Sequence, residues 1–373
     1  MAKEKIHLFL KIAVILLLLL QLPFVFEILE SSWLRSYLDS QPAKAYQETP
    51  FADVKGVIHV HSAAGGHSRG TYPQIIEAAK ATGMKWVLMT EHPREPFIFN
   101  KIYDPDVVML YGWEEDREGD GRILRDDESS FLIFSEFEEK AVPEEAGGIE
   151  IFNLAESASA HNDIYTWISW LYHNFLKPDM FFFQIWEINR ERFDVWDSTL
   201  ARRHVTATAG IDAHQNLGLI LETATGDEIF SLQVDSYETS MKSVSNHLLL
   251  PESEEVNEAS VVKALKKGSS YICFDLLANP SGFSFHAENQ GGVFSPGSTV
   301  LPGSNLRLLS PMPVKFRVFQ SGRLFRELEG TDFTLPANEP GAYRLEVMMI
   351  DPPYMLKDKP WIITNPIYVA STP

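Results

Sequence analysis

The chain has almost no cysteine. Cys273 is the only one. That excludes an internal disulfide and any thiolate-rich metal site, and leaves imidazole and carboxylate as the side chains for a metal centre. Cations are also scarce: 32 Lys and Arg stand against 51 Asp and Glu, a net charge of −19. Such a surface repels phosphate backbones, and no run of Lys and Arg marks a basic groove, so nucleic acid is not expected as a partner. No internal repeat is evident. Serine- or cysteine-nucleophile chemistry is not expected, since no Gly-x-Ser-x-Gly elbow is taken to be present and the lone cysteine lies in an apolar run. What the 373 residues do have is material for a core, 45% hydrophobic and 12% aromatic, in a length that suits two domains.

One long apolar run is present, at residues 6–26, interrupted by His7, Lys11, Gln21 and Pro23. It just reaches the roughly 20 residues that span a bilayer, provided Lys11 snorkels. Lys3, Lys5 and Lys11 precede its centre, whereas Glu27, Glu30 and Asp39 follow. That asymmetry predicts a cytoplasmic N-terminus and a membrane-anchored, extracytoplasmic body. A cleaved signal, leaving a secreted or periplasmic body, is the alternative. The absence of a small-x-small pattern after Leu20 favours the uncleaved anchor. Residues 1–30 are therefore expected to be the anchor or signal, and 31–50, with Ser, Gln, Pro and Lys, a linker.

From Phe51 the chain alternates strands and helices. Gly56-Val57-Ile58-His59-Val60-His61-Ser62 is an apolar strand ending in two histidines. Residues i and i+2 share a strand face, so His59 and His61 should converge. A Gly-rich loop at 62–70 follows. Thr71 and Gln74 then form a capping box with Pro73 in the first turn, ahead of the stripe Tyr72, Ile75, Ile76, Ala79. The next strands deliver Thr90-Glu91-His92 and Gly112-Trp113-Glu114. Residues 116–128 read as a charged surface loop, 131–134 and 149–153 as strands. A helix begins at Asn162 or Asp163, its apolar residues Ile164, Trp167, Ile168, Leu171, Tyr172 and Phe175 assigned to core packing. Residues 180–186 read as a strand and 190–203 as a helix. That helix buries Phe193, Trp196 and Leu200 and puts Asp197 on the same face, where a carboxylate needs a structural partner. Residues 205–209 are a strand ending in Gly210-Ile211-Asp212-Ala213-His214. Residues 223–256 read as an irregular polar excursion in which His247 stands isolated, and 261–267 as a short helix. This grammar specifies an α/β body over 51–278 with its chemistry at the carboxyl ends of parallel strands. From residue 279 to 373 helical periodicity gives way to short strands with Gly and Pro turns, a small all-β, sandwich-like domain.

The strand-end residues are His59, His61, His67, His92, Glu114, Asp212 and His214, five of the chain's 11 histidines among them. Imidazole with carboxylate suits zinc, manganese or iron, and a metal so held activates water, which points to metal-assisted hydrolysis. Arg69 and Arg94 flank two of these stretches. They are candidate cations for a phosphate or carboxylate substrate, or else solvated surface residues.

His59-x-His61 with His67, Thr90-Glu91-His92, Gly112-x-Glu114 and Gly210-Ile211-Asp212-Ala213-His214, in this order, resemble the polymerase and histidinol phosphatase (PHP) superfamily. Gly148-Ile149-Glu150-Ile151-Phe152-Asn153, Trp196-Asp197 and the late Trp361-Ile362-Ile363-Thr364-Asn365-Pro366-Ile367 look like its carbaryl-hydrolase-like branch. The resemblance covers roughly residues 51–369. It implies a distorted (β/α)7-type barrel with up to three metals, in a superfamily where many members are phosphoesterases. It also implies one metal on His59, His61, Glu114 and Asp212, and another on His67, His92 and His214. The middle metal of the family takes two histidines from an interval where this chain has none, between His92 and His161. One or two divalent metals are therefore expected, unless His161 or His173 substitutes. Glu91 replaces the family's usual Asp. The function expected is a phosphoesterase acting on a small-molecule or phosphoester substrate. An ester, carbamate or amide hydrolase, and a degenerate barrel that only binds, are the alternatives.

Overall fold

A computed structural model describes residues 2–41, 49–66, 68–92, 99–116, 121–126, 131–135, 141–160, 163–176, 180–216, 218–222, 228–233 and 236–371. Seven strands close into a barrel: β1 (Ala52–Val60), β2 (Trp86–Glu91), β3 (Val108–Asp116), β4 (Arg122–Asp126), β5 (Leu132–Ser135), β6 (Gly148–Asn153) and β7 (Thr206–Ala213). Strands β2 and β6 are buried at every position, as apolar strands covered on both faces should be. Neighbours run parallel except around β4, which is antiparallel to β3 and to β5. The barrel is thus mixed. The charged stretch read as a loop over 116–128 contains β4, because Leu124 turns inward and is wholly buried amid Arg122, Arg125 and Asp126.

The chain separates into two units, residues 1–41 with 158–186, and 42–157 with 187–373. In the first, helix α1 (Ala2–Asp39) is long and apolar enough to cross a membrane or to serve as a signal sequence. It runs nine residues into what reads as linker, since nothing between Ser31 and Asp39 breaks a helix. Its Phe24 stacks on Tyr165 and Tyr172, and its Glu27 accepts hydrogen bonds from Tyr165 and Ser169.

Helix α3 (Leu154–Ser159) leads towards α4 (Ile164–Leu176). The expected core stripe of α4 is not internal: Ile164 is 76% and Phe175 72% exposed, only Ile168 and Tyr172 of the six are half-buried, and the buried face instead carries Trp170. Residues 180–186 form no strand but a short helix, α5 (Phe182–Ile185), whose all-round apolar character fits either conformation.

In the second unit, α2 (Tyr72–Thr82) has the expected capping box, and Gly83 closes it at φ 76°. Helix α6 (Arg190–Leu200) buries Phe193, Trp196 and Leu200. Its Asp197 has the partner it requires: Arg344 donates to both carboxylate oxygens at 2.8 and 2.7 Å. The supposed irregular excursion over 223–256 contains, among its described residues, strand β9 (Glu228–Gln233), which pairs antiparallel with β8 (Gly218–Glu222) just before it, helix α7 (Tyr237–Met241) and β10 (Ser245–Leu250). Strand β10 is buried throughout and pairs antiparallel with β1. Helix α8 (Glu258–Lys267) leads to β11 (Ser270–Cys273), which joins β10.

The C-terminal strands are β12 (Ser284–Asn289), β13 (Gly292–Phe294), β14 (Thr299–Val300), β15 (Ser304–Gln320), β16 (Arg323–Ala337), β17 (Gly341–Met348), β18 (Ile362–Thr364) and β19 (Ile367–Val369). The long β15 pairs with β12, β16 and β17. Strand β18 pairs with both β11 and β17, so hydrogen bonding carries through from the barrel into these strands.

Candidate metal centre

The first motif converges, but not by simple strand alternation. His59 has φ 68° and sits where the register of β1 shifts against both β2 and β7. Asp212 on β7 has φ 45°. His and Asp are among the few residues enriched in this left-handed region, and such strain gathers at functional sites. The paired bulges re-aim both strands at one point.

There, Glu114 Oε2 from β3 is approached by three imidazole Nε2 atoms: His59 at 3.3 Å, His61 at 3.2 Å and His92 at 3.1 Å. Asp212 Oδ1 lies 3.4 Å from His59 Nε2, 3.2 Å from His61 Nε2 and 3.3 Å from His214 Nδ1. The His61 ring stacks between those of His92 and His214, at 5.2 and 4.3 Å. Two triads have ligand atoms within metal-binding distance, His59–His61–Asp212 and His61–His92–His214. His61 therefore belongs to both groups, where the resemblance assigns it to one.

The donor set fits a metal ion. His59 Nε2 and Glu114 Oε2 are fully buried and make no hydrogen bond. Leaving such atoms unsatisfied is costly unless something else binds them. The neighbouring carboxylates favour a proton on the inner histidine, which a metal would have to displace on binding. Burial pulls the His59 pKa down, but Asp212, Glu150 and Glu114 together hold it well above its ordinary value. Burial likewise opposes ionisation of Glu114 and Asp212, yet the facing imidazoles hold both carboxyls well below the usual range. At the rim, burial lowers the pKa values of His92 and His214, which keeps them neutral as metal binding requires.

Residues around the cluster hold it in place. Glu150 on β6 accepts a hydrogen bond from His59 Nδ1 at 3.0 Å, which fixes the tautomer that leaves Nε2 to a metal. Asn153 donates to Glu150 Oε1 at 3.0 Å. Glu91, fully buried, accepts from the Ser62 amide and from Ser62 Oγ, so it secures the loop that follows β1. Arg122 on β4 donates to Glu114 Oε1 at 2.9 Å and is 36% exposed.

Of the residues named from sequence, His59, His61, His92, Glu114, Asp212 and His214 come together. His67, Arg94 and His161 lie outside the described residues. Arg69 is exposed, and its amide donates to His214 O at 3.2 Å. His173 is no substitute ligand: its ring nitrogens meet Ser31 Oγ and Ser169 O within the first unit. Sequence reasoning missed Glu150 as a site residue, although a glutamate inside an apolar strand is itself a signal. It also missed Arg122, hidden in a charged stretch. Gly66-His67-Ser68-Arg69-Gly70 has the Gly-x-Ser-x-Gly spacing of a serine-hydrolase elbow, a match that the sequence reading overlooked. Ser68 Oγ instead sits 2.6 Å from His214 O and 3.1 Å from His61 O, bonded to the backbone beside two candidate ligands.

No family model matches the chain, and no curated protein matches it.

Proposed function

We propose that this protein is a metal-dependent hydrolase of the PHP type, most plainly a phosphoesterase, anchored to a membrane by α1 with its body outside the cytoplasm. The observation that supports the reading best is the buried pairing of His59 Nε2 and Glu114 Oε2, both without a hydrogen bond, inside a cluster of four histidines and two carboxylates. His59, His61, Glu114 and Asp212 would hold one ion, and His92 and His214, with His61 or His67, a second. A bound zinc, manganese or iron ion supplies Lewis acidity and an acidified water.

The chain's own residues do the rest. Glu150 keeps His59 in one tautomer and orientation. Glu91 holds Ser62 at the start of the segment that follows β1. Arg122, partly exposed beside Glu114, gives an anionic substrate oxygen a cation to dock on, which favours a phosphoester over a neutral ester. The burial of His59 and His61 keeps bulk water from the inner side of the cluster, while His92 and His214 leave the rim open to a substrate.

The test is elemental analysis of the full-length protein as isolated, followed by assays on an aryl phosphate and an aryl ester with added manganese or zinc. Bound transition metal and phosphate release support the proposal. Ester cleavage alone moves the reading to the ester, carbamate or amide hydrolases. No metal and no turnover would leave a barrel that only binds.

A further inference from the structure

A second group of metal-ligating side chains lies at the other end of β1. His247 on β10 is 4% exposed, and its Nε2 is buried without a hydrogen bond. Its Nδ1 donates to Asp53 Oδ1 at 2.6 Å. Asp53 is held in turn by the hydroxyl of Tyr271, whose ring stacks on His247 at 4.6 Å. This carboxylate–imidazole pair is the arrangement that supports metal-bound histidines: it fixes the ring and leaves Nε2 pointing away from Asp53. Nε2 faces Cys273 and Asp275. One ligand atom from each of the three residues falls within 4.8 Å of the others, and Asp275 Oδ1 is 4.0 Å from Nε2.

We infer that His247, Cys273 and Asp275 form a second, separate binding site for a borderline divalent metal such as zinc. Nitrogen, thiolate and carboxylate together suit zinc, and three protein ligands leave a fourth position for water. The site is distinct from the barrel centre. Asp53 precedes His59 by six residues, about 20 Å along a strand at roughly 3.3 Å per residue. Lys55 Nζ lies 3.1 Å from Asp275 Oδ1 and competes with a metal for that oxygen, while Ser245 donates to the other. Binding would displace Lys55 towards solvent and release two protons to water, one from the Cys273 thiol and one from His247 Nε2, which Asp53 and Asp275 favour keeping protonated. This inference stands whether or not the barrel is a hydrolase.

The single cysteine makes the test unambiguous. The full-length chain is stripped with a chelator and reloaded with cobalt(II), whose thiolate charge-transfer band in the near ultraviolet then reports Cys273 alone, whatever the barrel holds. The expected result is a saturable band that Cys273→Ser abolishes, with barrel-bound cobalt retained. Asp53→Asn, which spares all three ligands, should weaken the cobalt affinity read from that band by roughly 10–100-fold. Lys55→Met should strengthen it. Cobalt uptake without the band, or no uptake at all, overturns the inference.

Discussion

Glu150 Oε2 lies 3.0 Å from His59 Nδ1, and neither side chain reaches solvent. The two are 91 residues apart in sequence. A carboxylate so placed sets which ring nitrogen of His59 carries a proton, and so which is left to bind a metal. Glu150→Gln should therefore lower metal affinity by roughly 10–100-fold while the fold persists. Competition against a chromophoric chelator would measure it, and an unchanged affinity would remove Glu150 from the centre.

Gly210 makes that contact possible. A Cβ at this position would sit 2.0 Å from Glu150 Oε2 and 3.1 Å from His59 Cβ. Gly210→Ala is expected to push the pair apart, costing about 1–3 kcal/mol from overpacking and weakening metal binding too. Thermal unfolding with and without metal would follow both effects. Wild-type behaviour in the two measurements would mean that the packing here is slack.

The Arg344–Asp197 pair makes a stability prediction independent of any metal. Arg344 is 2% exposed, donates to both Asp197 oxygens, and lies over the Phe319 ring at 4.2 Å. Asp197→Ala strands a buried guanidinium, although Glu346 at 3.0 Å offers partial compensation. A loss of roughly 3–5 kcal/mol is expected in urea denaturation. The double variant Asp197→Leu with Arg344→Met should recover much of it, because it removes both charges. A single variant as stable as the parent would contradict this account.

Lys359 ties stability to alkaline pH. Burial pushes its pKa down to about 8, against a smaller upward pull from Glu187. The unfolded chain, with lysine near 10.4, then binds the proton more tightly than the native protein. The lysine's contribution is complete above about pH 10.4 and is lost as pH falls through about 8. Lys359→Met should flatten the rise in stability across that window relative to wild type. Parallel curves for the two proteins would place the lysine in water.

The most apolar 18-residue stretch of the helix Phe9–Asp39 is only 11% buried. The full-length chain should sediment with membranes and resist an alkaline carbonate wash. Recovery of the intact chain in the soluble fraction would overturn the anchor.

Much of this protein is written locally. The capping box of Thr71 and Gln74, the buried strands delivering His92 and Glu114, and the need of Asp197 for a partner are matters of residue type and short-range spacing, which the chain carries on its own. So is the chemistry available to the centre, since one cysteine and clustered histidines leave few ligand types. Tertiary structure decided the rest. His59 and His61 converge through left-handed bulges at His59 and Asp212, where the neighbouring strands β1 and β7 pair, and not through alternation along one. Arg122 reaches Glu114 because a charged stretch becomes β4, and His247 meets Cys273 because an apparent loop is the buried strand beside β1. Periodicity along a chain records which side of an element is apolar. It does not record which elements become neighbours, and these contacts exist only once barrel closure brings distant strands within hydrogen-bonding reach.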